Sequence, residues 1–327
     1  MAKAEVSILT HLLKIDEPYQ WDGRIGRICT ENNPVPFILN RAALVKEAGI
    51  VLSETESHDE ILRELSDDVL IENIGPDETF SVRTISENSN LSVSDRLEVE
   101  STLGARIKQV VGASVDLENP QIRLIVIFSE KNVRVCKSVA SPLRPMLRNR
   151  EPGQKPFFHP SMMNASLSRV MCNLVGLMPD EIVLDPFCGG GGILCEASHI
   201  GARTVGIDLN WLLLSGSKEN LTSIGSDFSI IQGDVRFLPI QRCDCIVTDP
   251  PYGRASSTRG AYAIELVESL LERVDSILIR KKGSICICGS SEMSLQDIAK
   301  EIGLYIEQFH QIKVHSGLTR ELLALSI

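Results

Sequence analysis

The chain has 327 residues, of which 43% are hydrophobic and 23% are charged, a composition typical of soluble globular proteins. It contains 33 Lys and Arg against 43 Asp and Glu, so its formal net charge at pH 7 is −10. No run of about 18 apolar residues is present, which excludes a membrane-spanning helix, and the first residues lack a secretion signal, so we expect a cytoplasmic protein. The acidic balance also argues against a nucleic-acid partner, unless positive charge is concentrated in one segment.

The nine cysteines do not follow the pattern of a disulfide-stabilised or zinc-binding protein. The sequence has no Cys-x-x-Cys pair, and the two Cys-x-Cys pairs, Cys243/Cys245 and Cys286/Cys288, lie in strand-like apolar runs. Alternate positions on a strand suit buried free thiols. We therefore expect no metal site and a reducing compartment.

The first 139 residues predict two small α/β segments. Residues 1–74 are acidic, and helical spacing of apolar residues predicts helices over residues 37–51 and 59–67. The second segment, residues 75–139, begins at the chain-breaking pair Gly75-Pro76. Its predicted elements are a strand over 80–85, a helix over 94–111, and strands over 123–128 and 132–139.

Residues 140–164 hold six Pro and Gly in 25 positions, which predicts a stiff linker. Beyond it, strand-like apolar runs alternate with helical segments. These runs are residues 182–184, 204–207, 229–231, 245–248 and 284–288. The alternation predicts an α/β fold whose mostly parallel sheet is covered on both faces. The last two runs, 305–314 and 321–327, are too close to enclose a helix and predict an antiparallel hairpin at the sheet edge.

A glycine-rich turn, DPFCGGGG at residues 185–192, joins the first of these strands to a helix. Glycines let a backbone approach a ligand without Cβ clashes, and a helix start offers free N–H groups. Asp208 ends the second strand about 20 residues further on, where a carboxylate can bind ribose hydroxyls. Asp234 follows the third strand, within reach of an adenine edge.

The chemistry of this turn favours S-adenosylmethionine over a dinucleotide or ATP. The pattern G-x-G-x-x-G is broken by Cys195, and no G-x-x-x-x-G-K-[ST] phosphate loop occurs. Asp185 would repel a pyrophosphate but attracts the ammonium group of an amino acid. The alternative is a tight turn that binds nothing, and the positions of Asp208 and Asp234 argue against it.

The fourth strand ends in Asp249-Pro250-Pro251-Tyr252, at the edge where open α/β sheets hold their active sites. An exocyclic amine on a base is a poor nucleophile because its lone pair is delocalised into the ring. The Asp249 carboxylate and the Pro250 carbonyl can accept its N–H bonds and direct the lone pair at a methyl donor, and the prolines preorganise both acceptors. Tyr252 can stack on a flipped-out base. The alternative is a Pro-Pro turn without chemistry.

Positive charge is concentrated in residues 131–155, with seven basic side chains against one acidic side chain. These candidates for binding phosphates are Lys131, Arg134, Lys137, Arg144, Arg148, Arg150 and Lys155. For any one of them, a solvated surface position is an equally reasonable interpretation.

These motifs together resemble those of the archaeal tRNA guanosine-10 N2-methyltransferase family, whose members combine a THUMP RNA-binding domain with a Rossmann-fold amino-methyltransferase domain. The resemblance lies in DPFCGGG (185–191), in DPPYGR (249–254), and in the THUMP-like stretches FSVR (80–83), LEVESTLG (97–104) and VDLENP (115–120). It implies an N-terminal ferredoxin-like domain at 1–74, a THUMP domain at 75–139, a proline-rich linker at 140–164 and the methyltransferase domain at 165–327.

The resemblance also implies the site residues. The catalytic residues would be Asp249, Pro250, Pro251 and Tyr252, and Arg254 joins the candidates for RNA binding. The cofactor-binding residues would be His159, Pro160, Asp185, Pro186, Phe187, Cys188, Gly189, Gly190, Gly191, Asp208, Leu209, Asp234 and Val235, and Ser168-Arg169 would lie beside the methionine end. Gly190 departs from the family, which more often has Ser or Thr there. The implied partners are tRNA and a small zinc-binding activator subunit.

Three other functions are compatible with parts of this pattern. The first is an N2-methyltransferase acting on another tRNA guanosine, such as position 6. The second is a non-catalytic RNA-binding protein with a vestigial cofactor site, against which the intact Asp249 and glycine turn argue. The third is a DNA amino-methyltransferase, which shares the tetrad chemistry but which the THUMP-like segment disfavours.

Overall fold

In the computed structural model of the protein, the described residues are 1–56, 60–87, 91–130, 132–251, 259–280, 284–315 and 317–327. They form two compact units. The large unit contains Met1–Lys14, Arg41–Leu44 and Pro142–Ile327, and the small unit contains Ile15–Asn40 and Val45–Ser141. The division expected from the sequence, with boundaries after residues 74, 139 and 164, therefore differs from the units that the structure forms, and the ferredoxin-like assignment of residues 1–74 stays a prediction.

The chain starts with helix α1 (Ala2–Leu12), which belongs to the large unit, and then builds the small unit. The strands that follow are β1 (Gln20–Asp22), β2 (Ile25–Arg27), β3 (Glu47–Thr55), β4 (Thr79–Ser86), β5 (Ser114–Val115), β6 (Ile122–Phe128) and β7 (Val133–Ala140). The helices among them are α2 (Val35–Arg41), α3 (Ile61–Glu64), α4 (Asp67–Asn73) and α5 (Val93–Val111).

Five strands of the small unit form one sheet in the order β3-β7-β6-β4-β5. Strands β4 and β6 are parallel, whereas β7 is antiparallel to both of its neighbours. Side chains of α3, α4 and α5 share a core with the sheet, including Ile61, Leu70, Leu103, Phe80 and Phe128. The strand and helix predictions for residues 80–139 are confirmed.

The helix predicted over residues 37–51 is wrong in its second half. Helix α2 ends at Arg41, and β3 runs from Glu47 to Thr55. Strand β3 pairs with β7 from Glu47↔Ala140 to Thr55↔Val133. Its apolar spacing is compatible with a helix, but pairing along a long neighbouring strand decides the structure, as is usual for β propensity.

The rest of the chain builds the large unit. Its strands are β8 (Ile182–Asp185), β9 (Arg203–Asp208), β10 (Phe228–Gln232), β11 (Cys245–Thr248), β12 (Ile285–Ser290), β13 (Tyr305–His315) and β14 (Leu318–Ser326). Its helices are α6 (Leu143–Arg148), α7 (Ala165–Leu174), α8 (Gly192–Ser198), α9 (Trp211–Ser223), α10 (Arg259–Leu271), α11 (Val274–Ile277) and α12 (Leu295–Ile302).

The large sheet has the order β10-β9-β8-β11-β12-β14-β13. Strands β8 to β12 run parallel to one another, and β14 pairs antiparallel with both β12 and β13. Successive residues of a strand point to opposite faces of the sheet, and accordingly Val183 packs in one hydrophobic cluster and Leu184 in another. The predicted fold class is confirmed, with a mostly parallel sheet covered on both faces and an antiparallel hairpin at one edge.

The predicted linker is packed as part of the large unit. Helix α6 buries Leu143 and Leu147 in the same cluster as Val183. A 3-10 helix follows at Pro152–Gln154. The prolines therefore stiffen a segment that contributes apolar side chains to a core.

No helix in the described ranges has the length and apolar character that a membrane span requires. The cysteines are unpaired, and all except Cys29 are buried. The predicted buried thiols are therefore confirmed for the two Cys-x-Cys pairs.

A buried carboxylate joins α1 to the rest of the large unit. The Glu5 side chain accepts hydrogen bonds from the backbone N–H groups of Ala43 (2.9 Å) and Leu44 (3.0 Å) and from the Asn173 side chain (2.8 Å). Asn173 Oδ1 in turn accepts a bond of 2.7 Å from Arg41 Nε. Burial raises the pKa of Glu5. Three separate stretches of sequence therefore depend on one side chain.

Replacing this carboxylate should destabilise the large unit. In Glu5→Ala, two backbone N–H groups and one amide lose their acceptor, and we expect a loss of about 3 kcal/mol in the free energy of unfolding. Urea unfolding measures it, with Ser7→Ala on the exposed side of α1 as the control. Equal stability of the two variants would contradict the assigned role of Glu5.

Candidate functional site

Four aspartates follow adjacent strands of the large sheet and line one cavity. Asp185 ends β8, Asp208 ends β9, Asp234 comes after β10 and Asp249 comes after β11. All four line a cavity of about 690 Å³. Because the carboxyl ends of parallel strands meet at one edge of the sheet, the topology brings together residues that are up to 64 positions apart in the sequence.

The glycine turn between β8 and α8 is held in a conformation that suits glycine. Gly189 and Gly191 have φ angles of 50° and 79°, where a side chain would be strained. The Gly189 N–H donates to the Asp208 carboxylate at 2.9 Å, and the Cys188 N–H donates to the Ile207 carbonyl at 3.0 Å. Asp208 therefore fixes the turn as well as lining the cavity.

Gly190 lies against two side chains from the segment that precedes α7. A Cβ atom at this position would come within 2.7 Å of Met162 Sδ and 3.2 Å of the Phe157 ring. The departure from Ser or Thr at position 190 therefore has a structural counterpart in this chain, because Met162 and Phe157 fill the space that a side chain would occupy.

Asn220 on α9 connects the same segment to the turn. Its side chain is buried and accepts from the Phe157 N–H at 2.9 Å, while its amide donates to the Gly190 carbonyl (2.9 Å) and the Phe157 carbonyl (3.1 Å). Nothing in the local sequence indicates this role, since an Asn within a helical segment is compatible with a solvent-exposed position.

Asp185 is the most deeply buried carboxylate of the site, with 1% of its surface exposed. It accepts hydrogen bonds from the Thr248 hydroxyl (2.6 Å) and the Phe187 N–H (3.1 Å), neither of which carries a charge. Burial, together with the charges of Asp249 and Asp208, raises its pKa to about 7. A positively charged ligand group at this position would relieve that cost.

Asp208 and Asp234 are already hydrogen-bonded. Besides Gly189, Asp208 accepts from the Asn210 N–H at 2.8 Å. Asp234 forms an ion pair with Arg236 (2.6 Å), which lowers the pKa of this carboxyl. Each carboxylate oxygen has more than one lone pair, so both side chains can still accept from a hydroxyl or an amine.

Asp249 faces a cation that sequence reasoning missed. Arg320 Nη2 on β14 lies 3.9 Å from Asp249 Oδ2, and both residues line the cavity. Seventy-one positions separate them in the sequence, and only the pairing of β14 with β12 brings them to the same edge. A pattern in the sequence could have located Arg320 only if the order of the strands were known.

The cavity includes most of the predicted site residues. Those that line it are Asp185, Pro186, Phe187, Cys188, Gly189, Gly190, Asp208, Leu209, Asp234, Val235, Asp249, Pro250 and Pro251. Gly191 is the N-cap of α8 and is not part of the lining. His159 and Pro160 are also outside it, although the next residues, Ser161 to Met163, belong to the lining. Tyr252 lies outside the described residues, and the binding roles of all these residues stay predictions.

Arg169, predicted beside the methionine end of the cofactor, is part of a buried ion cluster. Its guanidinium lies 3.0 Å from the fully buried Glu196, and Arg150 lies 3.5 Å from the same carboxylate. Burial, followed by the charges of Arg150, Arg169 and Lys155, lowers the pKa of His199 to about 4. The cluster links α7, which carries Arg169, to α8, which carries Glu196.

The predicted RNA-binding side chains differ in their surroundings. In the small unit, Arg134 is buried and paired with Glu54 at 2.9 Å, and Lys137 Nζ donates to the Asn73 carbonyl. In the large unit, Arg150 is paired as described above, Arg148 is exposed, and Arg144 and Lys155 are half-buried. Lys131 and Arg254 lie outside the described residues.

Known protein families match both parts of the chain. Residues 152–321, just over half of the chain, match the family described as RMKL-like, methyltransferase domain. The chain belongs to this methyltransferase family. Residues 57–136 match the THUMP domain, so this match begins before the boundary predicted at residue 75 and includes α3 and α4, whose side chains pack in the core of the small unit.

Relatives of the methyltransferase are found among archaea. A tRNA (guanine(10)-N2)-dimethyltransferase of Methanothermobacter thermautotrophicus is 36% identical over 69% of this chain and 67% of its own length. A protein of the same name from Methanocaldococcus jannaschii is 27% identical over 95% of this chain and 93% of its own length. The family membership inferred from the motifs is confirmed.

A solved structure has the same fold as the methyltransferase chain. TrmN from Thermus thermophilus superposes with a TM-score of 0.60 at 20% identity, covering 98% of this chain and 96% of the other. At this level of identity the likeness concerns the fold.

Removing the charge of Asp185 should stabilise the ligand-free protein. The pKa of Asp185 is raised from 3.8 to about 7 in the folded protein. Above pH 7 the ionised side chain therefore lowers the free energy of unfolding by about 4 kcal/mol at most. This destabilisation disappears as the pH falls towards 4, where the side chain is protonated in both states. Asp185→Asn should therefore unfold at higher urea concentration than the parent protein at pH 8, with a smaller difference at pH 5. The control is Asp227→Asn, which makes the same change at an exposed position. If Asp185→Asn and the parent protein unfold at the same urea concentration at pH 8, the buried charge of Asp185 does not destabilise the protein.

Proposed function

We propose that this protein is an S-adenosylmethionine-dependent tRNA methyltransferase that acts on the exocyclic N2 amine of guanosine 10. The observation that carries the proposal is one cavity in which the two amine acceptors, Asp249 and Pro250, lie with the three carboxylates predicted to bind the cofactor. The names of the two archaeal relatives support the choice of nucleotide.

The residues of the cavity fit the proposed cofactor. A volume of about 690 Å³ is in the usual range for a pocket that encloses a small ligand. Asp185 would bind the ammonium group of the methionine part, Asp208 the ribose hydroxyls and Asp234 the adenine amine, while Leu209 and Val235 supply apolar contacts. When bound, S-adenosylmethionine supplies an electrophilic methyl group on a positively charged sulfur.

The remaining chemistry belongs to the chain. The Asp249 carboxylate and the Pro250 carbonyl accept the N–H bonds of the target amine, and this holds the nitrogen lone pair out of conjugation with the ring. Pro250 and Pro251 restrict the backbone, so both acceptors are in place before the base arrives. The amine that gains a methyl group must also lose a proton, and the Asp249 carboxylate, which already accepts from that amine, is placed to take it.

We include a second methyl transfer in the proposal. After one transfer the N2 amine keeps one N–H bond, which either Asp249 or the Pro250 carbonyl can accept. Both archaeal relatives are named dimethyltransferases. The expected final product is therefore N2,N2-dimethylguanosine.

A small zinc-binding activator subunit enters the proposal on the resemblance to the family alone. The experiment is methyl transfer by the purified chain without any other protein. Full activity of the chain alone would remove the activator from the proposal.

Position-resolved mass spectrometry of tRNA tests the proposed reaction. Unmodified tRNA is incubated with the protein and S-adenosylmethionine, digested to oligonucleotides and sequenced by mass. We expect added methyl groups on guanosine 10. Methylation of another guanosine, such as position 6, would replace this assignment, and absence of N2-methylated guanosine would reject the proposed reaction.

Asp249→Asn should strongly slow methyl transfer while leaving cofactor binding intact. The amide keeps the size of the side chain but offers one acceptor oxygen and cannot take a proton, so we expect kcat to fall by about 10²- to 10⁴-fold. Calorimetric titration should give a dissociation constant for S-adenosylmethionine close to that of the parent protein. Asp227→Asn is the control, and activity in Asp249→Asn equal to that of the control would remove Asp249 from the mechanism.

The affinity for S-adenosylmethionine should depend on the charge of Asp185. Its pKa is about 7 in the ligand-free protein, and the ionised form is the one that attracts an ammonium group. We expect the dissociation constant to be level above pH 8 and to rise by up to about tenfold per pH unit well below pH 7. Calorimetry between pH 5.5 and 8.5 measures this dependence. A dissociation constant that does not change over this range would place the ammonium group elsewhere.

A further inference from the structure

Arg320 lines the same cavity as Asp249 and lies beside that carboxylate. It lies on β14 and pairs with Ser290 at the carboxyl end of β12. Strand β12 separates β14 from β11, the strand that precedes Asp249. Its side chain is 16% exposed and that of Asp249 is 13% exposed, so both charges are largely removed from water. The arginine thus belongs to the reaction end of the cavity, apart from the turn at residues 188–192.

The distance between the two charges is informative. Arg320 Nη2 and Asp249 Oδ2 are 3.9 Å apart, which is an ion pair but longer than a hydrogen bond. A guanidinium carries five N–H donors and a carboxylate carries two acceptor oxygens, so each group can bond a further ligand while it keeps the contacts it has. A molecule with an acceptor next to a donor on one edge would match both of them.

Guanine has this arrangement on its Watson–Crick edge. The N2 amine and the N1 hydrogen are donors, and the O6 oxygen on the same edge is an acceptor. Adenine carries an amine in the place of O6, which would direct its hydrogens at a cation. A carboxylate and a guanidinium next to each other therefore distinguish the two purines by the group at position 6.

We propose that Arg320 is a specificity-determining residue that donates to O6 of the target guanine while Asp249 accepts from its N2 amine. This inference rests on the proposed function, because it assumes that the base held by Asp249 is a guanine. Arg320 selects the base that is methylated, and Asp249 and Pro250 prepare its amine.

Transcripts with altered bases at position 10 test the contact directly. The substrates are tRNAs that carry guanine, 2,6-diaminopurine or 2-aminopurine at position 10. All three keep the N2 amine, whereas O6 is replaced by an amine in the second and by hydrogen in the third. Both analogues also lack the N1 hydrogen, so the variants at position 320 show how much of the preference depends on O6. The quantity measured is kcat/KM for methyl transfer at that position, by the parent protein, Arg320→Met, Arg320→Gln and the control Lys313→Met. Lys313 is an exposed cation of the same hairpin.

The parent protein and the control should prefer guanine over 2,6-diaminopurine by about 10- to 100-fold. Arg320→Met should lose most of its activity on guanine and show a preference of less than about threefold. Arg320→Gln, whose side chain both donates and accepts, should also lose the preference but retain more activity. Dissociation constants for S-adenosylmethionine close to the parent value would show that the cavity is intact in both variants.

The outcomes separate the inference from the proposed function. If both variants slow the reaction on all three bases by the same factor, Arg320 acts through Asp249 or the RNA backbone and the specificity role is overturned. If Arg320→Met does not bind the cofactor, the preference of Arg320→Gln decides, and a parental preference in that variant overturns the inference. If the parent protein transfers no methyl group to guanine 10, the proposed function itself has failed.

Discussion

The site depends on holding four carboxylates around one cavity of about 690 Å³ despite their mutual repulsion. Each is stabilised differently. Asp208 accepts from two backbone N–H groups, Asp234 is paired with Arg236, and Asp249 lies 3.9 Å from Arg320. Among the described residues, the donors to Asp185 are uncharged, and it is the most deeply buried of the four, so the cost of its charge appears as a raised pKa. A cationic ligand would neutralise the buried charge of Asp185. In the ligand-free protein that charge lowers the free energy of unfolding.

The same repulsion explains how the cavity can serve two ligands. The end near Asp185 and the glycine turn is suited to a cation, because the described hydrogen-bond donors to Asp185 are uncharged. The end near Asp249 contains an opposite charge on Arg320, so it suits a neutral group that has both a donor and an acceptor. Charge therefore sorts a positively charged cofactor and a neutral base to different ends of one cavity.

Much of the large unit could be predicted from the sequence, because each strand is a short apolar run that ends in a chemically distinctive residue. The strand order then places Asp185 and Asp249 side by side without further information. Arg320 and Asn220 could not be found in this way, because their roles depend on pairing across the sheet and on contacts over about 60 residues or more. Strand β3 is predicted as part of a helix from its local apolar spacing, but its pairing with β7 makes it a strand.

The contacts also change how the net charge of −10 bears on an RNA substrate. Part of the acidity is concentrated in the cavity, where the proposed cofactor would offset it. Part of the basic stretch at residues 131–155 is already used, because Arg134 and Arg150 are paired with carboxylates. Of the described cations in that stretch, Arg148 is exposed and thus best placed to meet a phosphate. With few such contacts, recognition of tRNA must draw more on shape and on the base pocket than on bulk electrostatic attraction.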